Sequence, residues 1–158
     1  MISVQVLKGF SVFKGLDDGE LSKLVELCRE RTFKKGSFCF HQDKRAMELH
    51  LCRSGKVDIV VELSKPTGIV EVTVHTVDEG EVFGWSAVVG PHTYTASAKC
   101  TEKTEDICIK GSDLTKLFEQ SPRVGYIIMR NLSSAVSSRL ADTRQKLTML
   151  MDPAVGRE

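Results

Sequence analysis

A glycine-rich corner near the middle of the chain has the residue types and spacing of an anion-binding turn. It reads Gly80-Glu81-Val82-Phe83-Gly84-Trp85-Ser86-Ala87, and Tyr94-Thr95-Ala96 follows a few residues later. A glycine that opens a short helical turn lets a ligand approach the backbone closely, and the first N–H groups of the turn point towards that ligand. The segment therefore predicts a binding site for a phosphate group, made largely by the backbone.

Side chains that bind metals are scattered along the sequence. His41, His50, His75 and His92 occur singly, and the five cysteines, at positions 28, 39, 52, 100 and 108, include no Cys-x-x-Cys pair. This spacing argues against a zinc site, an iron–sulfur cluster and a disulfide framework, and it favours buried, reduced thiols. We predict no metal site, although the sequence leaves open metal or heme ligation by His50 and His75, which lie in predicted strands.

The composition indicates one non-catalytic domain. A chain of 158 residues with 41% hydrophobic content can build a single core, and its net charge of +1 gives no overall field that attracts nucleic acid or an anionic membrane. No Ser-His-Asp grouping, nucleotide-hydrolysing loop or pair of carboxylates in a cleft is recognisable. The apolar runs are short and the N terminus lacks a basic region before an apolar stretch, which predicts a cytoplasmic protein.

Hydrophobic periodicity predicts the elements that position the glycine-rich corner. Asp17 and Glu20 form a capping-box pattern before a helix with an apolar face of Leu21, Leu24, Val25 and Cys28. From about residue 29 the period changes to two, and short alternating segments separated by glycine turns predict an antiparallel roll. The alternating segments contain Phe38 and Phe40, Leu49 and Leu51, Val57, Ile59 and Val61, Val70, Val72 and Val74, and Ile107 and Ile109.

Helical periodicity returns after Gly111. A short helix ends at Ser121-Pro122, and a long helix is predicted over residues 123–150. Because this helix is longer than one small domain needs for its own core, we predict that it pairs with a second copy in a homodimer. The predicted dimer contacts are Ile128, Leu132, Val136, Leu140 and Leu147. Residues 1–150 would form the domain, and residues 151–158 a tail.

Taken together, these segments resemble the cyclic nucleotide-binding domains of the catabolite activator and fumarate-nitrate regulator family. The resemblance covers about residues 7 to 148, and it includes the strand, Ser-Gly turn and returning strand at residues 49–57. It implies a mainly β fold with flanking helices: an antiparallel, jelly-roll-like β-roll, or double-stranded β-helix, with N-terminal helices and a long C-terminal helix. In regulators of this family a helix-turn-helix domain follows the long helix, and we expect no DNA-binding domain in this chain.

The resemblance also identifies the glycine-rich corner as the family's phosphate-binding cassette, altered at two positions. The family's cassette reads Phe-Gly-Glu-Leu-Ala and then Arg-Ser/Thr/Ala-Ala, with the glutamate on the ribose hydroxyl and the arginine on the cyclic phosphate. Here Trp85 stands at the glutamate position and Tyr94 at the arginine position. An indole N–H cannot accept a hydrogen bond, and a phenol is neutral at pH 7. Each lost hydrogen bond to a charged group is worth about 1.5–3 kcal/mol, so the two changes could weaken binding by about two to four powers of ten.

Three interpretations of the altered cassette stay open. The two aromatic rings could stack on a flat ligand, they could fill the pocket of a ligand-free dimer or docking module, or the backbone could still bind cAMP or cGMP as in a transcription regulator. The predicted ligand-binding residues, from the cassette and the long helix, are Phe83, Gly84, Trp85, Ser86, Ala87, Tyr94, Thr95, Ala96, Thr143 and Arg144. No cofactor is certain. A cupin-like metal enzyme shares the roll, but the sequence lacks the close His-x-His pair and following Glu that such sites resemble.

Overall fold

The computed structural model describes residues 1–151, which contain helices at both ends and strands between them. The elements, in chain order, are α1 (Val4–Leu7), α2 (Asp18–Val25), β1 (Cys28–Phe33), β2 (Phe38–Phe40), β3 (Glu48–Ser54), β4 (Val57–Lys65), β5 (Gly68–Val77), β6 (Val82–Phe83), β7 (Ser97–Cys100), β8 (Thr104–Lys110), α3 (Gly111–Gln120) and α4 (Pro122–Leu150). One 3₁₀ turn, Ser11–Phe13, precedes α2, and another, Trp85–Ala87, follows β6.

The strands form two four-stranded antiparallel sheets. Their strand orders are β1-β8-β3-β6 and β2-β7-β4-β5. β3 pairs with β8, and β4 pairs with β5 along its whole length. This arrangement confirms the predicted antiparallel roll with N-terminal helices and a long C-terminal helix.

The sheet that contains β3 and β8 separates two apolar regions. Side chains alternate between the faces of a strand, so neighbouring residues enter different regions. Leu49, Leu51, Ile107 and Ile109 pack in a core shared with the helices. The intervening side chains enter the interior of the roll: His50, Cys52, Asp106 and Cys108. The strand register therefore decides which chemical groups meet inside the roll.

The start of α2 follows the predicted capping box, but the helix is shorter than its apolar pattern suggested. Asp17 Oδ1 accepts from the Glu20 N–H at 2.8 Å, and Glu20 Oε1 accepts from the Asp17 N–H at 3.0 Å. The sequence predicts Cys28 on this helix, but in the structure Cys28 is the first residue of β1. Its thiol still donates to the Leu24 carbonyl at 3.2 Å, which explains why its spacing looked helical.

The N-terminal third of α4 belongs to the core of the domain. Val124, Ile127, Ile128 and Leu132 are buried in the core that α4 forms mainly with α3 and the N-terminal 3₁₀ turn, with further apolar residues from α1 and α2. Gly125 allows close packing, because a Cβ there would lie 2.9 Å from the Cβ of Phe118. The structure thus corrects the prediction that Ile128 and Leu132 are dimer contacts: this chain already covers both.

Beyond Leu132, α4 leaves the core and extends past the roll. Val136 is half-buried, while Leu140 and Leu147 are 49% and 56% exposed. The ammonium group of Lys146 donates to the Val74 carbonyl of β5 at 3.1 Å, so the helix also touches the other sheet. No helix within residues 1–151 is long and apolar enough to span a membrane. Of the predicted tail, only Met151 lies among the described residues.

Candidate functional site

The cassette turn, which we define as residues 82–87, contains a glycine, Gly84, that no other residue could replace without strain. Gly84 has φ 69° and ψ 31°, in the left-handed region. A Cβ at this position would lie 2.9 Å from His50 Cδ2 and 3.0 Å from Phe40 Cε2. The 3₁₀ turn at Trp85–Ala87 follows, and the first N–H groups of such a turn have no partner within it. The glycine corner and the short turn that follows it are thus present as predicted, and their binding of an anion stays a prediction.

Tyr94, at the arginine position of the family's cassette, is part of the protein's own packing. Its ring lies on the ring of Phe40, with 3.8 Å between centroids and 12° between planes. Its hydroxyl donates to the Glu48 carbonyl at 2.7 Å. Burial raises the pKa of Tyr94 to about 12, although the hydrogen bond to the Glu48 backbone acts in the opposite direction. The phenol is neutral at pH 7 and supplies no positive charge to a phosphate.

Trp85, at the glutamate position, is covered by a side chain from α4. The guanidinium carbon of Arg139 lies 4.4 Å from the centroid of the Trp85 ring, and the guanidinium donates to the Val82 carbonyl. Glu81 Oε1 lies 3.9 Å from Arg139 Nη2. Burial lowers the pKa of Arg139 to about 10, with Glu81 opposing the shift, so the group still carries its charge at neutral pH. A cation–π contact of this kind joins the cassette turn to α4.

The cavity at the cassette is small. Its volume is about 70 Å³, whereas sites for drug-sized ligands typically have about 300–1,000 Å³. Its lining residues are Phe40, Ile59, Gly84, Trp85, Ser86, Tyr94, Thr95, Ala96 and Arg139. In this conformation a nucleotide does not fit without movement of Tyr94, Trp85 or Arg139.

Six of the ten predicted ligand-binding residues surround this cavity, and four lie elsewhere. The six are Gly84, Trp85, Ser86, Tyr94, Thr95 and Ala96. Phe83 is completely buried inside the roll, and Ala87 packs in a small cluster with Ala46 and Tyr94. Thr143 and Arg144 are exposed on α4 outside the cavity lining, so their contact with a ligand stays a prediction.

Three cavity residues escaped the sequence-based prediction: Phe40, Ile59 and Arg139. Phe40 and Ile59 were recognised as strand residues, but the pairing that brings β2 and β4 beside the cassette is not readable from alternation alone. Arg139 comes four residues, or about one helical turn, before Thr143. The residue of α4 that lines the cavity therefore lies one turn before the predicted pair, Thr143 and Arg144.

A second group of chemically active side chains lies inside the roll, directly behind the cassette turn. His50 Nδ1 is 2.6 Å from Asp106 Oδ2, and Cys108 Sγ is 2.9 Å from the same oxygen. Within residues 1–151, these three residues form the set that could hold a metal ion. Metal ligation by His50 was left open by the sequence, but its partners were not predicted, because His50 and Asp106 are separated by 56 positions and meet through strand register.

The remaining histidines and cysteines are separate from this group. His75 Nε2 lies 3.2 Å from Glu81 Oε1 at the surface of β5. All five cysteines are free, and the Sγ atoms of Cys39 and Cys100 are 3.6 Å apart. The cupin alternative needs a pair of histidines with a glutamate, and no such set occurs among the described residues.

Comparison with known proteins identifies the family of this chain. The family model described as "Cyclic nucleotide-binding domain" matches residues 30–121, and the chain belongs to the cyclic nucleotide-binding domain family. It is similar to the cyclic AMP receptor protein of Thermus thermophilus, with 27% identity over 144 residues, 91% of this chain and 63% of that protein. It is also similar to Glutaminase 1 of Bradyrhizobium diazoefficiens, with 28% identity over 139 residues, 88% of this chain and 21% of that protein.

A solved structure gives the same result. A crystal structure from Geobacter metallireducens GS-15, described as that of a candidate cyclic nucleotide-binding protein, superposes with a TM-score of 0.76 at 29% identity and covers 89% of this chain and 99% of its own. This chain spans less than two thirds of the length of the two curated relatives. The activities of those whole proteins therefore do not transfer with the similarity.

Proposed function

We propose that this chain is a non-catalytic sensor or interaction domain of the cytoplasm, whose cassette has a weakened or changed ligand specificity and whose output passes through α4. The observation that carries the proposal is the stacking of Tyr94 on Phe40 where the resemblance places a phosphate-binding arginine. The hydroxyl of Tyr94 donates to the Glu48 carbonyl, so both the face of the ring and its hydroxyl have a partner within the protein. The residue fills the pocket and brings no charge to it.

The small cavity supports the same proposal. With about 70 Å³ of space, the site accepts a small or flat group between Trp85 and Tyr94 more readily than a nucleotide. An aromatic ligand could stack on the face of either ring that Phe40 or Arg139 leaves uncovered. Membership of the cyclic nucleotide-binding domain family supports a small-molecule ligand in general. Because Trp85 and Tyr94 replace two charged residues of the family's cassette, they favour a ligand with less charge than a nucleotide.

A second candidate function, binding of a cyclic nucleotide with a different arginine, rests on Arg139. Its charged guanidinium lines the cassette cavity although it belongs to α4. A phosphate in the cavity could draw this group away from the Val82 carbonyl and the Trp85 ring, and so replace the cation that Tyr94 lacks. Binding would then change the position of α4 directly, which is the type of linkage a sensor needs.

We further propose that the chain forms a homodimer through the exposed part of α4. Leu140 and Leu147 project from a helix that extends beyond the core that buries its first third. Apolar residues seven positions apart lie on one face of a helix, as in two-stranded helix packing. In this proposal Ile128 and Leu132 hold the base of α4, and Val136, Leu140 and Leu147 contact the second copy.

Isothermal titration with cAMP and cGMP tests the two ligand proposals. We expect the wild-type chain to bind neither nucleotide at micromolar concentration, and the double variant Trp85→Glu, Tyr94→Arg to bind more tightly. Tyr126→Arg is the control for the arginine of the double variant, because it makes the same tyrosine-to-arginine change at an exposed position of α4. Failure of the double variant to gain affinity while it remains folded contradicts this account of the pocket.

The same titration separates the two candidates. Micromolar binding by the wild-type chain that is lost in Arg139→Met, but kept in the exposed-site control Arg144→Met, would favour the nucleotide sensor. Absence of binding in all three would direct the search to uncharged aromatic compounds and protein partners.

A further inference from the structure

The interior of the roll contains a polar group that the cassette does not use. Nδ1 of His50, a carboxylate oxygen of Asp106 and Sγ of Cys108 all lie within 4.8 Å of one another. His50 and Asp106 are 2% and 1% exposed, and Cys108 is completely buried. His50 and Cys108 are direct partners in the pairing of β3 with β8, while Asp106 enters the same face two residues earlier. The backbone of two central strands therefore fixes all three side chains.

From this geometry we propose that His50, Asp106 and Cys108 bind a divalent transition-metal ion of the Zn²⁺ class. Imidazole nitrogen, thiolate sulfur and carboxylate oxygen are the three ligand types that Zn²⁺ takes from proteins. Three protein ligands leave one coordination position for water or another ligand. The site is distinct from the cassette cavity, whose lining residues include none of the three.

An unsatisfied oxygen points to the same conclusion. Asp106 Oδ1 is buried and has no hydrogen-bond partner in the described structure. A buried carboxylate oxygen nearly always has a donor or an ion beside it, since water is excluded. In contrast, Asp106 Oδ2 has two close neighbours, His50 Nδ1 and Cys108 Sγ. Asp106 thus has a free oxygen with which to complete a metal's coordination.

The distances between these side chains are those of the metal-free site, in which the Cys108 thiol keeps its proton. Cys108 donates to Asp106 Oδ2 at 2.9 Å, and His50 Nδ1 lies 2.6 Å from that oxygen and 3.6 Å from Sγ. In a tetrahedral site with bonds of about 2.0–2.3 Å, the ligand atoms lie about 3.3–3.8 Å apart. Binding therefore requires Asp106 Oδ2 to move away from His50 Nδ1 and Cys108 Sγ, or Asp106 to bind through Oδ1. Metal binding releases the thiol proton of Cys108 to solvent, and the His50 proton then resides on Nε2.

The surrounding charges suit an ion of charge +2. Arg31 stands opposite Asp106 in the pairing of β1 with β8, and its guanidinium forms an ion pair with Glu48 at 2.8 Å. These two charges cancel each other. The Asp106 carboxylate and the Cys108 thiolate would together neutralise the bound ion, so the loaded interior carries no net charge.

The site is closed to solvent, because the side chain of Asp106 is completely buried and that of His50 is 2% exposed. Asp106 and Arg31 line an open cavity of about 300 Å³ beside the N terminus, together with Glu30 and Glu105. In this cavity the carboxylate of Glu30 is already paired with Arg53 and with the N-terminal ammonium group. From the other side His50 is closed off by the rings of Phe83 and Phe40, at centroid distances of 5.1 and 5.3 Å.

Titration of the reduced, chelator-treated chain with Co²⁺ tests the proposal, because a thiolate bound to tetrahedral Co²⁺ gives charge-transfer and visible absorption bands. We expect one Co²⁺ per chain, displaced by Zn²⁺, with the bands lost in Cys108→Ser and Asp106→Asn. Cys28→Ser is the matched control, because that thiol bonds only to the Leu24 carbonyl of the preceding helix. No binding by the folded wild-type chain, or bands that persist in Cys108→Ser, would overturn the proposal.

X-ray absorption on the zinc-loaded wild-type chain keeps the test independent of variants that fail to fold. We expect one sulfur neighbour at about 2.3 Å and nitrogen or oxygen neighbours at about 2.0 Å. A shell with no sulfur, or with several sulfurs, contradicts the assignment, since only Cys108 contributes a thiolate to this set.

Discussion

Arg139 of α4 lies over the face of Trp85 in the cassette turn, with 4.4 Å between its guanidinium carbon and the ring centroid. Trp85 is the single tryptophan of the chain, so tryptophan emission reports on the surroundings of this one ring. The same guanidinium donates to the Val82 carbonyl, which makes it a bridge between β6 and α4. This one side chain thus connects the candidate ligand site to the helix proposed to carry the output.

Replacing Arg139 with methionine should alter the emission of Trp85 without destabilising the fold. Methionine keeps an apolar stem and a favourable sulfur–aromatic contact, while the desolvation that lowers the pKa of Arg139 to about 10 is relieved. We expect a shifted tryptophan emission spectrum and an unchanged or higher Tm. Arg144→Met, at an exposed position of the same helix, should change neither. A marked fall in Tm for Arg139→Met would show that the arginine holds α4 against the roll.

Alkaline unfolding should expose the buried phenol of Tyr94. Its pKa in the folded chain is about 12, above the ordinary value of 10, because burial disfavours the phenolate. The unfolded chain therefore loses this proton first, and stability falls as pH rises from about 10 to 12. The expected loss is about 2–3 kcal/mol in the free energy of unfolding.

Denaturant unfolding at several pH values measures this loss, with Tyr94→Phe as the variant that should lack it. At neutral pH, Tyr94→Phe should cost about 0.5–1.5 kcal/mol through the lost hydrogen bond to the Glu48 carbonyl. Tyr126→Phe is the control, because Tyr126 is 65% exposed. An equal alkaline slope for wild type and Tyr94→Phe would assign the effect to other groups.

Gly84→Ala should be more destabilising than Gly36→Ala, although both glycines have positive φ. An alanine at φ 69° or 87° costs about 1–2 kcal/mol from backbone strain. A Cβ at Gly36 meets no atom within 4 Å, whereas one at Gly84 lies 2.9 Å from His50 Cδ2 and 3.0 Å from Phe40 Cε2. Overpacking adds about 1–3 kcal/mol at Gly84. Chemical denaturation of both variants gives the difference, and equal losses would mean that the rings move aside freely.

Substitutions along α4 should separate dimerisation from folding. Leu140→Asp with Leu147→Asp should yield a folded monomer in sedimentation equilibrium, because both side chains are exposed in the single chain. Ile128→Ala should instead lower the free energy of unfolding by about 2–5 kcal/mol, since it opens a cavity in the core. A wild-type chain that sediments as a monomer at all concentrations tested would remove the dimer proposal.

Local patterns predicted the fold well, because each of its signals lies within a few residues. The Asp17–Glu20 capping box, the alternation in the strands and the Ser121-Pro122 break between two helices all appear as expected. The cassette frame was likewise readable, because its glycines and spacing are contiguous. These features depend on backbone geometry that neighbouring residues determine by themselves.

Features that depend on contacts between residues far apart in the chain were not predicted from the sequence. An apolar stripe on α4 indicates that one face of the helix is covered, but it does not identify the residues that cover it. Ile128 and Leu132 were therefore assigned to a partner chain, although apolar residues of this chain, some of them in the N-terminal helices, cover both. The position of Arg139 over Trp85 depends on how α4 crosses β6, which hydrophobic periodicity leaves undetermined. The meeting of His50 with Asp106 and Cys108 depends on strand register, which alternation alone does not fix.

The length of α4 beyond its buried base makes it a lever arm. Arg139 stands about 10 Å along the helix axis from Leu132, the last fully buried residue, and Leu150 stands about 27 Å from it. If the helix pivots as a rigid rod at Leu132, a sideways shift of about 2 Å at Arg139 becomes about 5 Å at Leu150. A group small enough to enter the cassette cavity and displace one guanidinium could thereby move the far end of the helix by more than a strand spacing.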